Sequence, residues 1–484
     1  MVLMLVASSS QRTTQHNEIA PLKVYQGDFL PERPTMIEIT RPLLLIAFLT
    51  AVAANRVYVH PFGMFALGNG SCKPTHALEV TPLETVSLTS IEDGVEPDPV
   101  HTYMEQRGNV SQRTAVLAQL LNTLGQRFYD TLQTQKAPNG LFSPVNAYGA
   151  LVAFYLGAWG ATASQLQKLL GLEKETDKPD CVSPFDGHKV LRTLCSINAL
   201  MDGSADELKT PVWVFSNANL SKSFARGIWE YSNTSYTRAV DLSQPLKAQS
   251  QLNAFMEKTS AGKSKLLFQD INSTSDLLFA SAVHFKGKWR TMFRPEATSP
   301  QEFWIDDKTS VTVPLMTHTG KYSYLDDKRM KCTVLKLALS RHAYMLLVLP
   351  YEGAHLDHIE KQLTARISDW SHHLKEGVLE VSLPKLSLNA VSDLKSILSN
   401  MGLPNLLGTG ANFTHFSRKE HFTVGKVLNE VVFEMSEEGS EQQDESQGDE
   451  AELKLTFNRP FCFTVIEGSS GAILLLGRIG NPTN

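Results

Sequence analysis

The change of hydrophobic period along the chain constrains its fold more than any other feature. Apolar residues recur at helical spacing in six segments, residues 111–133, 145–157, 161–170, 248–260, 355–361 and 390–400. Gly171 follows the third segment, where a glycine commonly ends a helix. Strand-like runs dominate the later part of the chain, at residues 278–285, 311–316, 332–339, 344–349, 379–383, 461–466 and 472–476. Helices first, followed by strands mixed with helices, predict an α+β fold built on large antiparallel sheets.

Composition and charge exclude several classes of protein. The 484 residues carry a formal charge of -5, and Lys and Arg are scattered rather than gathered into a basic stripe, so no nucleic-acid partner is expected. The sequence contains no P-loop, dinucleotide fingerprint or G-x-S-x-G motif, so we expect neither an enzyme nor a bound cofactor. His355 and His358 have helical spacing but lack a third metal ligand, which predicts a surface position and no metal site.

A short apolar segment, residues 43–54, follows a basic residue and a proline and ends in small residues. It is too short to span a bilayer. A basic flank, an apolar stretch and small residues at the cleavage edge are typical of a secretory signal. We therefore predict a start at Met36, cleavage between Ala54 and Asn55, and secretion to the extracellular space without membrane insertion. A buried helix or a signal anchor is the alternative, and residues 1–35 are interpreted as an upstream extension.

Cysteines and glycosylation triplets agree with an exported protein. The five cysteines are Cys72, Cys181, Cys195, Cys332 and Cys462. Because five is an odd number, at least one thiol stays free or pairs outside the chain. No C-x-x-C pair is present, so zinc or dithiol chemistry is not indicated. Six N-x-S/T triplets predict glycosylation at Asn69, Asn109, Asn219, Asn233, Asn272 and Asn412.

The stretch after the predicted leader lacks a regular hydrophobic period. Residues 63–108 are rich in Gly, Pro, Thr, Ser and Glu, which is typical of a mobile arm. Just before it, Val57 and Val59 are β-branched and Pro61 resists helix formation. We therefore predict an extended backbone over residues 55–65, and proteases bind extended chains.

Met64 and Phe65 form a bulky apolar pair in otherwise polar surroundings. An aspartic protease accepts large apolar groups on both sides of the bond that it cuts, so the bond between them is a candidate cleavage site. The chain before it offers a cation, a phenol, an imidazole and an aromatic ring, which suit a receptor pocket. These groups lie in the first eight residues after the predicted signal cleavage, Asn55, Arg56, Val57, Tyr58, Val59, His60, Pro61 and Phe62. A loop that happens to contain two aromatic residues is the alternative.

Several motifs resemble landmarks of the serpin family, in order and in approximate spacing, over residues 110–484. They are Asn139-Gly-Leu-Phe-Ser-Pro144, Leu156-Gly-Ala-Trp-Gly-Ala-Thr162, Gln165-Leu166, Phe285-Lys-Gly-Lys-Trp289 with Phe293, Val313-Pro-Leu-Met316, Leu383-Pro-Lys385, Phe457-Asn-Arg-Pro-Phe461 and Gly477-Arg-Ile-Gly-Asn-Pro482. The resemblance implies the serpin fold, with eight or nine helices and large antiparallel sheets behind a flexible N-terminal arm. The implied divisions are a leader over 1–54 with its signal peptide at 36–54, a peptide over 55–64, an arm over 65–108 and a serpin domain over 109–484.

The leading segment also resembles the vasoactive peptide of a non-inhibitory hormone precursor in that family. The resemblance implies that an aspartic protease releases residues 55–64, and that a zinc dipeptidyl carboxypeptidase then removes Gly63 and Met64. The remaining octapeptide would act on a G-protein-coupled receptor. The resemblance further implies a disulfide between Cys72 of the arm and Cys181 of the body, with a free thiol at Cys72 as the alternative.

The loop that an inhibitory serpin inserts into its sheet departs from the family pattern. Glu437-Glu-Gly-Ser440 resembles the hinge, but an acidic segment, residues 441–450, follows it in place of small residues. If Ser440 faced the core, strand alternation would also bury Asp444 and Glu450, at a cost of several kcal/mol. We therefore predict a solvated loop and a body that does not inhibit proteases. A serine protease inhibitor and a small-ligand carrier of the same family are the alternatives.

Overall fold

The computed structural model describes ten stretches of the chain, all within the unit His60–Asn484. They are residues 60–67, 78–87, 107–134, 137–173, 185–200, 208–265, 267–339, 343–419, 421–440 and 450–483, with side chains in the second helix described from residue 111. The predicted signal peptide, residues 36–54, and the first part of the predicted peptide, residues 55–59, lie outside these stretches.

Ten α-helices and 17 strands occur in the described stretches. The helices are α1 Pro61–Phe65, α2 Arg107–Gln133, α3 Pro144–Gly157, α4 Gly160–Leu169, α5 Gly187–Ala199, α6 Lys222–Tyr231, α7 Pro245–Thr259, α8 Leu356–Glu360, α9 Leu363–His373 and α10 Leu394–Asn400. The strands are β1 Val80–Thr81, β2 Gly140–Phe142, β3 Leu208–Lys209, β4 Val212–Ser216, β5 Leu220–Ser221, β6 Ser235–Ala239, β7 Leu277–Lys286, β8 Thr298–Trp304, β9 Ser310–Asp327, β10 Cys332–Ala338, β11 Ala343–Pro350, β12 Lys375–Pro384, β13 Leu386–Asp393, β14 Val424–Met435, β15 Leu453–Thr456, β16 Phe461–Glu467 and β17 Ile473–Ile479. Within the same stretches, no helix combines the length and apolar character needed to cross a membrane.

A six-stranded sheet, which we call the central sheet, has the strand order β13-β14-β7-β4-β6, with β3 paired to the end of β7. At its middle, β7 and β14 lie side by side and are parallel. Their pairing runs from Val424 opposite Leu277 to Glu434 opposite Lys286. We call this pairing the seam, because the two strands are far apart in sequence and are joined by ladder hydrogen bonds and packing rather than by a turn.

The second sheet has nine strands. Their order is β15-β12-β9-β10-β11-β16-β17-β2, with β8 added to β9. Neighbouring strands are antiparallel except β12 and β15, which are parallel. Nearly every residue of β11, β16 and β17 is buried, which is typical of strands that are covered on both faces.

Helix α3 lies in the middle of the larger core. Twelve of its 14 residues are buried, so other elements surround it on all sides. Gly149 and Gly157 permit this close packing, because a Cβ at either position would lie 2.2 Å from an atom of Tyr231 or Phe416. The sequence of α3 therefore matches its central position.

Successive residues of β7 face two different cores. Leu277 and Phe279 belong to the larger core, whereas Leu278 and Ala280 belong to a smaller core with Leu252 of α7. This alternation follows from the two-residue period of a strand. The central sheet is consequently covered on both faces, with α7 on one of them.

The α+β architecture predicted from the sequence is confirmed, with ten helices among the described residues where eight or nine were expected. The sheets are largely antiparallel, but β4–β6, β7–β14 and β12–β15 are parallel pairs that the sequence did not predict. The helix predicted over 390–400 is wrong in its first turn. Residues 390–393 continue strand β13, and the helix begins only at Leu394 because Asp393 caps it by accepting the N–H of Lys395.

Asp276 connects the start of β7 to the chain just before β14. Its side chain is 1% exposed and accepts hydrogen bonds from Lys419 Nζ and from the N–H and hydroxyl of Thr423. Burial alone would raise the pKa of Asp276, but these hydrogen bonds outweigh burial and hold the pKa below its usual range. The ionised carboxylate therefore stabilises one end of the seam.

Asp276→Asn is expected to lower the free energy of unfolding by about 2 kcal/mol at neutral pH, because Lys419 loses a buried charged partner. Since folding lowers the pKa of Asp276, its stabilisation is complete above the usual titration range of the carboxyl group and is lost as the pH falls below it. The difference in the free energy of unfolding between wild type and variant should therefore disappear in acid. Urea denaturation over a pH series measures it, with the exposed Asp270→Asn as control. A difference that persists unchanged in acid would contradict this role.

Candidate functional site

Residues 60–67 contain the end of the predicted peptide and the predicted cleavage bond. The extended backbone expected here is wrong for Pro61–Phe65, which forms a short helix. Proline suits the first position of a helix, where its fixed φ fits and its missing N–H leaves no unpaired donor. His60 caps the turn, since its Nδ1 accepts the N–H of Phe62 at 3.2 Å and its carbonyl accepts the N–H of Gly63 at 2.8 Å. Pro61, which in the sequence argues against a helix, is thus the first residue of α1.

Two phenylalanines hold α1 on the body. Phe65 is fully buried and Phe62 is 7% exposed, whereas Met64 is half-buried and Gly63 is exposed. Helix α1 packs against α2 and α5. A helix of five residues has no stability of its own in water, so its docking depends on this burial, roughly 2–3 kcal/mol for each phenylalanine. The Met64–Phe65 bond therefore lies in a helical turn, and one of its two residues is in the core.

The chain before α5 clamps the residue that follows the bond. The N–H of Asp186 donates to the carbonyl of Phe65 at 2.6 Å, and Ala66 forms an antiparallel bridge with Phe185. Phe185 is buried and stacks on Tyr155, with ring centroids 4.0 Å apart. Burial raises the pKa of Tyr155 to about 12, so its hydroxyl stays protonated and donates to the Phe185 carbonyl at 3.4 Å. The clamp is thus built on buried side chains of the body.

A buried carboxylate fixes α5, the helix that follows the clamp, to α6. His188 Nδ1 lies 2.7 Å from Glu230, and Arg192 and Arg226 each donate to the same carboxylate at 2.9 Å. Burial alone would raise the pKa of Glu230, but its hydrogen bond with His188 and the charges of Arg192 and Arg226 lower it. Helix α5, whose N-cap residue Asp186 holds Phe65, is therefore fixed by charge as well as by packing.

Residues 78–87, which we call the strap, form a second contact between the predicted arm and the body. Strand β1 pairs with β5, and Thr85 bridges Ala239 at the end of β6, the edge strand of the central sheet. Glu84 lies 3.5 Å from Arg238, whose side chain is 4% exposed. Within the described residues, the predicted mobile arm is thus held at α1 and at the strap, by buried side chains and ladder hydrogen bonds.

The loop hinge leaves the central sheet at the end of β14. The N–H of Ser440 donates to the carbonyl of Trp289, and the N–H of Trp289 donates to the carbonyl of Glu438, both at 3.0 Å. Glycine is required at position 439, since a Cβ there would lie 2.7 Å from the carbonyl oxygen of Trp289. The hinge is therefore held against the chain that follows β7, and β7 and β14 remain paired with each other.

Several predicted site residues lie outside the described stretches. They are Ala54, Asn55, Arg56, Val57, Tyr58, Val59, Asn69, Cys72 and Cys181, together with the side chain of Asn109. The predicted disulfide and these glycosylation sites therefore stay predictions. Cys195, Cys332 and Cys462 are free thiols. The other predicted glycosylation sites are exposed, as glycan attachment requires, at Asn219, Asn233, Asn272 and Asn412.

Sequence reasoning missed the clamp formed by Phe185 and Asp186. The sequence contains one relevant signal, an aspartate directly before a helical stretch, and Asp186 indeed caps α5 by accepting the N–H of Lys189 at 3.0 Å. Nothing in the sequence connects that aspartate to Phe65, because the contact uses backbone atoms of distant segments.

Comparison with known proteins defines the class of protein. Residues 119–482 match the family Serpin (serine protease inhibitor), and the chain belongs to the serpin family. The chain is 33% identical to angiotensinogen of Bos taurus and 29% identical to angiotensinogen of Homo sapiens, in each case over 91% of this chain and 97% of the relative. The resemblance to a hormone precursor of the serpin family, noted at the leading segment, is confirmed.

Solved structures show the same architecture. The crystal structure of mouse protein-Z dependent protease inhibitor superposes with a TM-score of 0.69 at 25% identity, covering 78% of this chain and all of that chain. Human thyroxine-binding globulin superposes with a TM-score of 0.67 at 25% identity, covering 77% of this chain and all of that chain. These matches support the serpin fold of the body.

Phe65→Ala is expected to loosen α1, because the substitution removes the side chain that is buried most deeply in this helix. Loss of a buried phenylalanine costs about 3 kcal/mol or more, so the amide of Asp186 should exchange with solvent about ten to a hundredfold faster. Hydrogen exchange followed by NMR measures this. The control is Leu67→Ala, two residues further on and 48% exposed. Unchanged exchange at Asp186 would show that Phe65 does not hold the clamp.

Proposed function

We propose that this serpin is a secreted hormone precursor of the angiotensinogen type, with no enzyme activity of its own. Renin, an aspartic protease, cleaves Met64–Phe65 and releases the decapeptide 55–64. A zinc dipeptidyl carboxypeptidase then removes Gly63 and Met64, which leaves Phe62 with a free carboxylate. Likeness to angiotensinogens over 91% of the chain is the observation that carries this proposal.

The octapeptide ending at Phe62 is the proposed vasoactive hormone. It acts on an angiotensin receptor, a G-protein-coupled receptor, and so regulates blood pressure and the balance of salt and fluid. Arg56, Tyr58 and His60 supply a cation, a phenol and an imidazole, groups that commonly anchor ligands in receptor pockets. The predicted signal peptide before Asn55 and the exposed asparagines of four predicted glycosylation triplets support secretion.

Release of the peptide requires α1 to open. A protease cleft binds an extended chain, whereas Met64 and Phe65 are helical and Phe65 is buried. The free energy that docks α1 on the body is modest, because it comes from two phenylalanines and from the clamp at Phe185 and Asp186. A minor open state of about 0.1–10% is typical of an equilibrium of this size. Cleavage of the folded protein should then be slower than that of a free peptide by the open fraction.

The body is proposed to act as a scaffold rather than as a protease trap. An inhibitory serpin inserts its cleaved loop as a new strand. Here the loop continues from Ser440 into an acidic segment, and insertion would bury Asp444 and Glu450. The hinge hydrogen bonds between Ser440 and Trp289 support the same interpretation, because they keep the hinge paired with the chain that follows β7.

The test is incubation of the secreted protein with renin of the same species, followed by mass spectrometry. We expect release of residues 55–64, at a kcat/KM on the order of 10–1,000 times below that of a synthetic peptide spanning 55–67. A panel of serine proteases serves as the comparison on denaturing gels. Covalent complexes would support the inhibitor alternative, and a protein left intact by renin would remove the precursor function.

The proposed bridge between Cys72 and Cys181 is tested by Cys72→Ser. Cys72 lies in sequence between α1 and the strap, and Cys181 lies just before Phe185 of the clamp, so the bridge would tie the arm beside the cleavage bond. The variant is therefore expected to release the peptide at a rate different from that of wild type. Equal rates would show that the bridge has no part in cleavage, and Cys195→Ser is the matched control.

A further inference from the structure

The face of the central sheet that packs under α7 contains a group of buried polar side chains at the seam. Glu430 of β14 is 0% exposed and His284 of β7 is 3% exposed. Both lie among apolar neighbours of the smaller core, because they continue the alternation of Ala282 and Leu428 on that face. A buried carboxyl group in such surroundings is costly unless it is well bonded.

Ser264 joins these two strands. It lies in the chain after α7, and its hydroxyl donates to Glu430 Oε2 while contacting His284 Nε2 at 2.9 Å. His284 Nε2 lies 3.8 Å from the same Glu430 oxygen. The other oxygen of Glu430 accepts the Asn389 side-chain N–H of β13 at 2.9 Å. One carboxyl group thus connects three neighbouring strands with the chain that crosses over them.

The chain that carries Ser264 is itself held in place. The N–H of Ser264 donates to Ser260 Oγ at 2.9 Å, directly after the end of α7. A pair of hydrogen bonds between the Asn253 side chain and the Phe268 backbone, at 2.8 and 2.9 Å, fixes the return of the chain to α7. Ser264 therefore presents its hydroxyl from a segment anchored on both sides.

The opposite face of the seam lacks comparable bonding. Ser281 of β7 stands opposite Asn429 of β14, and their side-chain polar atoms have no hydrogen-bond partner among the described residues. In the middle of the seam, the side-chain hydrogen bonds among the described residues therefore lie on the α7 side, at Ser264 and Glu430.

We propose that Ser264, His284 and Glu430 form a clasp that locks the central sheet closed. A strand inserted between β7 and β14 would move them about 5 Å further apart. Ser264 could then follow only one of the two strands, and the contacts of Glu430 with Ser264 and His284 could not all survive. The lock lies in the sheet and is independent of the acidic loop.

Hydrogen exchange by mass spectrometry tests the clasp in the intact protein. In Ser264→Ala and in Glu430→Gln, peptides covering β7 and β14 should exchange about tenfold faster than in wild type, the change expected when a hydrogen bond to a charged or buried carboxyl group is lost. Peptides of β11, in the other sheet, should not change. The matched control is Ser250→Ala on the exposed side of α7.

Two results would overturn the clasp. Seam peptides that exchange at the wild-type rate in Ser264→Ala would show that this hydroxyl does not hold the strands. Equal acceleration in β11 would show a general loss of stability instead of local opening. If Glu430→Gln fails to fold, the result for Ser264→Ala alone tests the clasp. This substitution removes one buried hydroxyl and leaves the carboxyl group of Glu430 in place.

Uptake of a foreign strand provides a second measurement. A labelled synthetic peptide of alternating Thr and Ala, as long as the seam, avoids the acidic residues of the natural loop. It should enter Ser264→Ala about tenfold faster than wild type, and equal rates of entry would contradict the clasp. Renin cleavage at Met64–Phe65 uses a different part of the molecule, so failure of the clasp and failure of the precursor function are distinguishable.

Discussion

The parallel pairing of β7 with β14 determines the positions of most other elements. Helix α3 fills the core on one face of this sheet, and α7 covers the other. The strap pairs with the end of its edge strand β6, and the hinge leaves from the end of β14. A parallel pair is joined by no turn, so side chains at its ends and on its faces add to the ladder hydrogen bonds that keep it closed. Asp276 at one end and Glu430 on the α7 face are such side chains.

The cleavage segment has a different physical character from the sheet. Its helix is too short to be stable alone, and it is held by two phenylalanines and by backbone contacts with residues 185–186. Segments with few buried contacts open far more often than core strands. A serpin body thus combines a rigid sheet with a weakly docked end, and the peptide bond at Met64 belongs to the weakly docked part.

Sequence reasoning succeeded where one physical signal dominated. Helix α2 has a long apolar period, α3 is apolar over nearly its whole length, and β11, β16 and β17 are continuous apolar runs. It failed where contacts between distant segments determine the local conformation. Pro61 argues against a helix in the sequence, although it begins α1. The apolar pattern does not predict β14, because the polar residues Asn429 and Glu430 interrupt this buried strand. The clamp uses backbone atoms, so no side-chain pattern could have revealed it.

The complete burial of Phe65 has a consequence for the body that remains after peptide release. Cleavage of the Met64–Phe65 bond would turn the amide nitrogen of Phe65 into a charged amino terminus. Returning that residue to its place would require an ammonium group beside the core, at a cost of several kcal/mol. The shortened chain would therefore leave an empty apolar recess between α2 and α5. The cleaved body would differ permanently from the intact protein at this surface.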